Sequence, residues 1–181
     1  MSDGSGRHDA DRGPSGVGRR PALVVSACLL GVRCTHDASH NDRAAVRALG
    51  SRYRLLPVCP ETAGGLPTPR AEAQRSVDDG RVRTENGTEV TAAFERGAAA
   101  AVRLAAATGA VGAVLKARSP SCGCHEVYDG TFTRTRVAGE GVTAEALRAA
   151  GVPVVDEDDV QRGVVVGTAP TDTGGTHGWT G

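Results

Sequence analysis

The sequence predicts a single α/β domain, with a mainly parallel central sheet and helices on both of its faces. Its 181 residues are enough for one domain with a core and too few for two ordinary ones. Short apolar runs alternate with helical stretches, and twice a helix is followed by a glycine and then a short apolar strand, in ATGAVGAVL and AAGVPVV. This order is typical of αβ units, in which each helix returns the chain to a parallel strand.

The first part of the domain is predicted to contain two strands and one helix. Residues 21–27 (PALVVSA) and 53–59 (YRLLPVC) are short β-rich runs. Between them, residues 42–49 (DRAAVRAL) have the apolar spacing of a helix, with Asn41 as its N-cap and Gly50 at its end.

A loop, a small strand and the strongest helix follow. Residues 60–80 are rich in proline and glycine, which predicts a loop. RVRT at 81–84 is then a small strand. The helix covers residues 90–108, with Thr91 as its N-cap and Gly109 as a left-handed stop.

The last part alternates in the same way. The strand 110–117 (AVGAVLKA) leads through a loop to the run 131–137 (TFTRTRV), whose arginines alternate at the period of a strand. A helix over VTAEALRAA, capped by Thr143 and ended by Gly151, precedes the strand 152–155 (VPVV).

Both ends of the sequence have the composition of disordered tails. Residues 1–20 and 164–181 are rich in small and polar residues and have almost no apolar periodicity, which leaves the α/β domain at 21–163. The first twenty residues contain no apolar run, so we expect neither a signal peptide nor a membrane anchor, and we expect a cytoplasmic protein. The five cysteines should be reduced there, and their odd number argues against a disulfide framework.

Charge and aromatic content argue against a nucleic-acid or membrane partner. The 21 basic and 21 acidic residues give a net charge of zero, so no long-range field would attract phosphates. The aromatic residues are few and scattered, so they offer no base-stacking platform. Thiolated tRNA is not excluded as a partner, because pairs of arginines at strand spacing could bind phosphates if the pairs met in space. These pairs are Arg52 with Arg54, Arg81 with Arg83, and Arg134 with Arg136.

Three cysteines occupy equivalent places in the predicted sheet. Cys28 follows the first strand, Cys59 ends the second, and Cys122 lies in the loop KARSPSCGCHEVYDG that leaves the strand at 110–117. Because the carboxyl ends of parallel strands meet at one edge, where ligands bind, these cysteines could converge in space.

The cysteine spacing alone leaves several interpretations open. A buried thiol can simply be a small hydrophobe, the interpretation we favour for Cys34. A structural zinc site would use paired C-x2-C knuckles, which the C-x5-C and C-x-C spacings do not provide. Cys122 could be a nucleophile assisted by Ser119, Ser121 and His125. Three convergent thiolates could instead hold an iron–sulfur cluster with one iron open as a Lewis acid.

Five motifs together resemble the thiouracil desulfidase family over about residues 22–160, in order and with spacing kept. They are SACLLGVRC (26–34), PVCPETAGGLPTPR (57–70), LKARSPSCG (115–123), VYDGTF (127–132) and GEGVTAEALRAAGV (139–152). The resemblance implies an iron–sulfur enzyme that removes sulfur from thiolated uracils. It also implies a [4Fe-4S] cluster held by Cys28, Cys59 and Cys122.

The resemblance assigns roles to further residues. The open iron would bind the exocyclic sulfur, and water would attack the carbon that bears it. Glu61 is expected to activate the water or shuttle protons, and Ser119 to orient the water or the ring. We also expect Ser121 and Arg70 to contact the substrate.

The sequence departs from the family pattern at two places. Residues 35–38 (THDA) stand where an Arg-Tyr-Asp-Gly-like turn is expected, and Cys124 and His125 replace small residues. We interpret Cys124 as an incidental thiol. His36 and His40 are four apart in a turn-rich segment without a third ligand, which favours a solvated loop over a metal site.

The leading hypothesis is a cytoplasmic, cluster-dependent desulfidase that acts on a small thiolated pyrimidine. The chain has no room for the additional domain that related tRNA-acting chains carry, which favours a free base. Two alternatives remain: a non-catalytic iron–sulfur or sulfur-carrier protein, and a cluster-free enzyme with Cys122 as its nucleophile.

Overall fold

The computed structural model describes residues 20–164. Apart from Arg20 and Val164, both predicted tails lie outside the described residues. The helices and strands are, in chain order, β1 (Ala22–Ser26), α1 (Ala44–Ala48), β2 (Arg54–Val58), α2 (Pro60–Ala63), β3 (Ala73–Arg75), β4 (Val82–Thr84), α3 (Thr91–Thr108), β5 (Gly112–Leu115), β6 (Glu126–Tyr128), β7 (Arg136–Ala138), α4 (Val142–Ala149), β8 (Val154–Asp156) and α5 (Glu157–Gln161). Two 3₁₀ turns follow β1 and α1, at Ala27–Leu30 and Leu49–Ser51.

The centre of the fold is a four-stranded parallel sheet in the order β2-β1-β5-β8. Leu23 of β1 pairs with Leu55 of β2 on one side and with Gly112 of β5 on the other, and Val114 of β5 pairs with Val155 of β8. Two small antiparallel pairs, β3-β4 and β6-β7, lie outside this sheet. The predicted α/β class and parallel sheet are confirmed.

The two faces of the sheet each bury a core beneath helices. Alternate residues of a strand point to opposite faces, so Leu23 packs in the core that contains Val46 of α1, and α5 contacts α1 on this side. Val24 packs on the other face with Ala105 of α3 and Leu147 of α4. All residues of β1 are buried, which is typical of a central parallel strand covered on both sides. Helices on both faces are therefore also confirmed.

The segment predicted as a loop at 60–80 contains two short elements. α2 starts with Pro60, whose fixed φ suits the first helical position, but four residues are too few for a periodic pattern. β3 exists because it pairs with β4, Gln74 opposite Arg83. The loop prediction is wrong at both places, since one element is too short to detect and the other depends on a distant partner.

The predicted N-caps are wrong, although the helices themselves are present. The residues at the N-cap positions of α1, α3 and α4 are Arg43, Val90 and Gly141. Thr91 instead accepts a hydrogen bond from the Val82 N–H at 3.0 Å, and the hydroxyl of Thr143 lies 2.9 Å from that of Ser121. Both threonines therefore hold a helix to a neighbouring segment, a contact that local sequence does not reveal.

The predicted ends of α3 and α4 are confirmed more closely, whereas Gly50 lies within the 3₁₀ turn that follows α1. Gly109 terminates α3 with a φ of +60°, and Gly151 follows α4 with a φ of +78°. The run 131–137 is strand only from Arg136, because Phe132 and Arg134 have positive φ values that interrupt an extended chain.

Two glycines let α2 approach α3 at backbone distance. A Cβ on Gly64 would lie 1.9 Å from the Ala93 carbonyl oxygen, and a Cβ on Gly97 would lie 1.9 Å from the Pro60 carbonyl oxygen. No larger residue fits either position without displacing a helix, so this contact fixes the position of α2 and of the residues beside it. No helix within residues 20–164 is long and apolar enough to cross a membrane.

Candidate functional site

A cavity of about 340 Å³ opens at the carboxyl ends of β1, β2 and β5. Cys28, Cys59 and Cys122 all line it, one from the segment that follows each strand. Cys28 and Cys122 are buried, and Cys59 is half-buried. The structure thus brings together the three cysteines that the parallel topology predicted would meet.

A fourth thiol, Cys34, lies among them and lines the same cavity. Its single S–H proton can be donated to Cys28 or to Cys59, and this interaction lowers the pKa of Cys28 and lowers the pKa of Cys59 to about 5. The same interaction raises the pKa of Cys34 itself. The Cys34 carbonyl oxygen is also 3.6 Å from Cys59 Sγ. Cys34 is buried, as predicted, but its position at the cavity was missed.

Cys122 has a different environment from the other thiols. Burial raises the pKa of Cys122 to about 12, and the Ser26 hydroxyl donates a hydrogen bond to its Sγ at 3.4 Å. Ser26 in turn accepts a hydrogen bond from the Lys116 N–H at 3.0 Å, which ties the end of β1 to the end of β5. Ser26 was not among the predicted site residues, although it is the first residue of the SACLLG motif and the motif could have indicated it.

Ser119 holds the turn that carries Cys122. Its Oγ accepts hydrogen bonds from the backbone N–H groups of Ser121 and Cys122, at 3.2 and 3.1 Å. Because these bonds use the lone pairs of the hydroxyl, its proton remains available to a molecule in the cavity, which Ser119 lines. Ser121, in contrast, is fully buried outside the lining, where its hydroxyl contacts Thr143.

Glu61 and Arg70 form a buried ion pair at the cavity. Arg70 Nε donates to Glu61 Oε2 at 2.6 Å, and the two side chains are 7% and 17% exposed. Burial raises the pKa of Glu61, and Arg70 opposes this shift. Three of the four remaining guanidinium donors bind the backbone oxygens of Cys34 and Pro67 and the hydroxyl of Thr68.

The turn after Cys34 forms part of the cavity mouth. His36 and His40 are exposed, as expected of a solvated loop, yet both line the cavity. His40 Nδ1 accepts a hydrogen bond from the Asp42 N–H at 3.3 Å. Tyr128, from the VYDGTF motif, lines the cavity from β6.

His125 does not line this cavity. Its Nε2 lies 2.7 Å from Asp159 Oδ2, and it lines a separate pocket between the loop before β6 and α5. The arrangement of Cys122 with His125 that a nucleophilic thiol would need is therefore not formed, and burial keeps the Cys122 thiol protonated.

Comparison with known proteins gives three matches. The family model described as 2-thiouracil desulfurase matches residues 23–159. The uncharacterized protein YbbK of Bacillus subtilis (strain 168) is 35% identical over 146 residues, which cover 76% of this chain and 97% of YbbK. The solved structure of the [4Fe-4S]-dependent thiouracil desulfidase TudS is similar with a TM-score of 0.73 and 44% identity, over 78% of this chain and 94% of that one.

Proposed function

Because this chain belongs to the 2-thiouracil desulfurase family, we propose that it is a [4Fe-4S]-dependent enzyme that replaces the sulfur of thiouracil-like bases with oxygen from water. The resemblance inferred from the five motifs is confirmed by the family match. The observation that carries the proposal is the convergence of Cys28, Cys59 and Cys122 on one cavity from the ends of three adjacent parallel strands.

The donors at the cavity fit an iron–sulfur cluster. Cys28, Cys59 and Cys122 would hold it, since thiolate sulfur is the usual ligand of cluster iron and each of the three comes from a different strand. A [4Fe-4S] cluster with three cysteine ligands supplies an open iron, a Lewis acid with affinity for the exocyclic sulfur of a thiouracil. Cys34 would donate hydrogen bonds to this sulfur-rich site instead of serving as a ligand.

Glu61 is the carboxylate that would take the proton of the attacking water. Its position in the cavity lining, two residues after Cys59, supports this role. The water oxygen bonds to that carbon, the C–S bond breaks, and the net reaction gives a carbonyl and hydrogen sulfide. Ser119, with its hydroxyl proton available, would donate a hydrogen bond that orients the water or the ring.

The structure leads us to revise two substrate contacts expected from the sequence. We assign Arg70 to positioning Glu61, because four of its five guanidinium N–H donors already bind protein oxygens. We assign Ser121 to support of the Cys122 turn, since its hydroxyl is buried against Thr143 of α4.

A small thiolated pyrimidine is the substrate that the cavity favours. Its volume of about 340 Å³ lies at the lower end of the range for small-molecule sites, roughly 300–1,000 Å³. Three of the six arginines that could have bound tRNA phosphates are paired with acids: Arg81 with Glu89, Arg83 with Asp79, and Arg136 with Glu126. This neutralisation supports a free base over thiolated tRNA.

Anaerobic purification with assays of 2-thiouracil and 4-thiouracil tests the proposal. The protein should contain about four irons and four sulfides per chain, and Cys59→Ser should lose both cluster and activity. Glu61→Ala should keep the cluster and lose activity. Glu95→Ala, which changes an exposed carboxylate of α3 outside the cavity lining, is the matched control for Glu61→Ala and should keep both. Desulfidation by iron-free protein at the rate of the loaded enzyme would exclude the cluster mechanism.

A further inference from the structure

A second group of metal-binding side chains lies outside the cavity that holds the three cysteines. Cys124 and His125 come from the loop before β6, Asp156 ends β8, and Asp159 belongs to α5. One ligand atom from each of these four residues lies within 4.8 Å of the others. We propose that they form a binding site for a divalent transition metal, with Zn²⁺ as the best fit, and we call it the Cys124–Asp159 site.

The ligand types and spacing suit zinc. Thiolate sulfur, imidazole nitrogen and carboxylate oxygen are its usual protein ligands, in a tetrahedral shell that puts ligand atoms about 3.3–3.8 Å apart. His125 Nε2 lies 2.7 Å from Asp159 Oδ2 and 3.9 Å from Asp156 Oδ2. A shift of about 1 Å or less in each side chain would therefore complete the shell.

The state of Cys124 is an independent indication of a ligand. The residue is 2% exposed, and in the described part of the chain no hydrogen bond involves its Sγ. A thiol that served only as a small hydrophobe would have no reason to lie within 4.8 Å of two carboxylate oxygens and an imidazole nitrogen. Cys124 otherwise belongs to an apolar cluster that includes Leu147 and Val154.

The two carboxylates have ligand capacity left after their structural hydrogen bonds. Asp156 Oδ1 accepts from the Asp159 N–H, and Asp159 Oδ2 accepts from the Asp156 N–H, the reciprocal pair that caps α5. Asp156 Oδ2 receives no hydrogen bond from the described residues, and Asp156 lines the same pocket as His125 and Asp159. Arg162 binds Asp159 Oδ1 at 2.5 Å and compensates one of the two carboxylate charges. A bound cation would compensate the other.

Bound zinc would fix the loop that carries two residues of the cavity. Cys124 is two residues after Cys122 and five after Ser119, while Asp156 and Asp159 are anchored in β8 and α5. With four protein ligands the site would be closed and structural, with no open position for a substrate. It would tie the Cys122 turn to the edge of the central sheet.

Zinc retention by the cluster-loaded protein tests this inference without an activity assay. Holoprotein is incubated with Zn²⁺, desalted, and analysed for zinc and iron together with its thermal midpoint. Wild type should retain about one more zinc per chain than a Cys124→Ser/His125→Ala variant. Zinc should raise the thermal midpoint of wild type and leave that of the variant unchanged. The loss of two ligands should weaken zinc affinity at least about 100-fold, because the loss of a group that only orients a ligand already weakens metal affinity by about 10- to 100-fold.

Two further variants separate ligation from a packing effect. Asp158→Asn changes an exposed carboxylate of the same helix and should keep zinc, while His125→Cys replaces one ligand type by another and should also keep it. With Co²⁺ as the probe, the thiolate charge-transfer band should be present in wild type and absent in Cys124→Ser. Equal zinc retention by wild type and the double variant, at equal iron content, would overturn the inference, as would a wild type that retains none.

Discussion

Arg70 Nε lies 2.6 Å from Glu61 Oε2, so the carboxylate that we assign to water activation is held by a guanidinium rather than by solvent. Both side chains are largely buried, and Arg70 also binds the carbonyl of Cys34. This one arginine therefore connects the segment after β2, the turn that carries Cys34 and the cavity. Replacement of Arg70 should therefore disturb the Glu61 carboxylate more than it disturbs substrate binding.

Arg70→Gln should reduce kcat much more than it changes KM for 2-thiouracil. It should also destabilise the protein by about 3–5 kcal/mol, because the Glu61 charge is left buried without its partner. Urea unfolding of Arg70→Gln, Glu61→Gln and the double variant measures this. The double variant should regain stability relative to Arg70→Gln but no activity. Additive losses in the double variant would show that the two residues do not act as a pair.

Gly97→Ala should displace α2 and with it the segment that carries Cys59. The added methyl would lie 1.9 Å from the Pro60 carbonyl oxygen, a backbone atom that cannot rotate away. Overpacking of this kind costs about 1–3 kcal/mol or more, which outweighs the gain of about 1 kcal/mol from placing alanine in a helix. Thermal unfolding and iron content measure the effect.

The control for Gly97→Ala is Ala99→Gly on the exposed face of the same helix. It should cost about 1 kcal/mol of stability through helix propensity and leave the iron content unchanged. If Gly97→Ala kept full iron content and full stability, the close contact between α2 and α3 would not be what positions Cys59.

Ser26→Ala should weaken the attachment of Cys122 to the end of β1. The substitution removes the hydrogen bond to Cys122 Sγ and leaves the Lys116 N–H without its acceptor, at a cost of about 1–3 kcal/mol. We expect faster loss of visible absorption when the cluster-loaded variant meets air, as well as lower stability to urea. Ser39→Ala is the control, since Ser39 lines the same cavity and its hydroxyl takes part in no hydrogen bond among residues 20–164. Equal rates of cluster loss for both variants would contradict this role of Ser26.

The convergence of the three cysteines was predictable because it depends on topology. Apolar runs such as LVV at 23–25 identify central strands, and helix–glycine–strand order makes them parallel, which places all their carboxyl ends at one edge. Cys59 follows β2 directly and Cys28 lies two residues after β1, so their positions needed no knowledge of loop paths. Cys122 lies seven residues after β5, and its position also depends on the turn that Ser119 holds.

The residues that were missed or misplaced depend on loop conformation. Cys34 reaches the cavity because the turn after the 3₁₀ segment folds back, with the Asn41 N–H bound to the Cys28 carbonyl. Ser121 turns away from the cavity because its hydroxyl meets Thr143, a residue of α4 that lies 22 positions later. Both outcomes rest on contacts between distant segments, and local propensity does not record such contacts.

Cys34→Ala should keep the cluster and change its properties, in contrast to loss of a ligand. Cys34 lies beside Cys28 and Cys59, and its one thiol proton can be donated to either sulfur; a hydrogen bond to ligand sulfur makes a cluster easier to reduce. We therefore expect an iron content equal to that of wild type and a more negative reduction potential, measured by anaerobic potentiometry. Cys59→Ser in the same preparation should lose iron. Iron loss by Cys34→Ala equal to that of Cys59→Ser would instead make Cys34 a ligand, and the iron would then not be left open for sulfur.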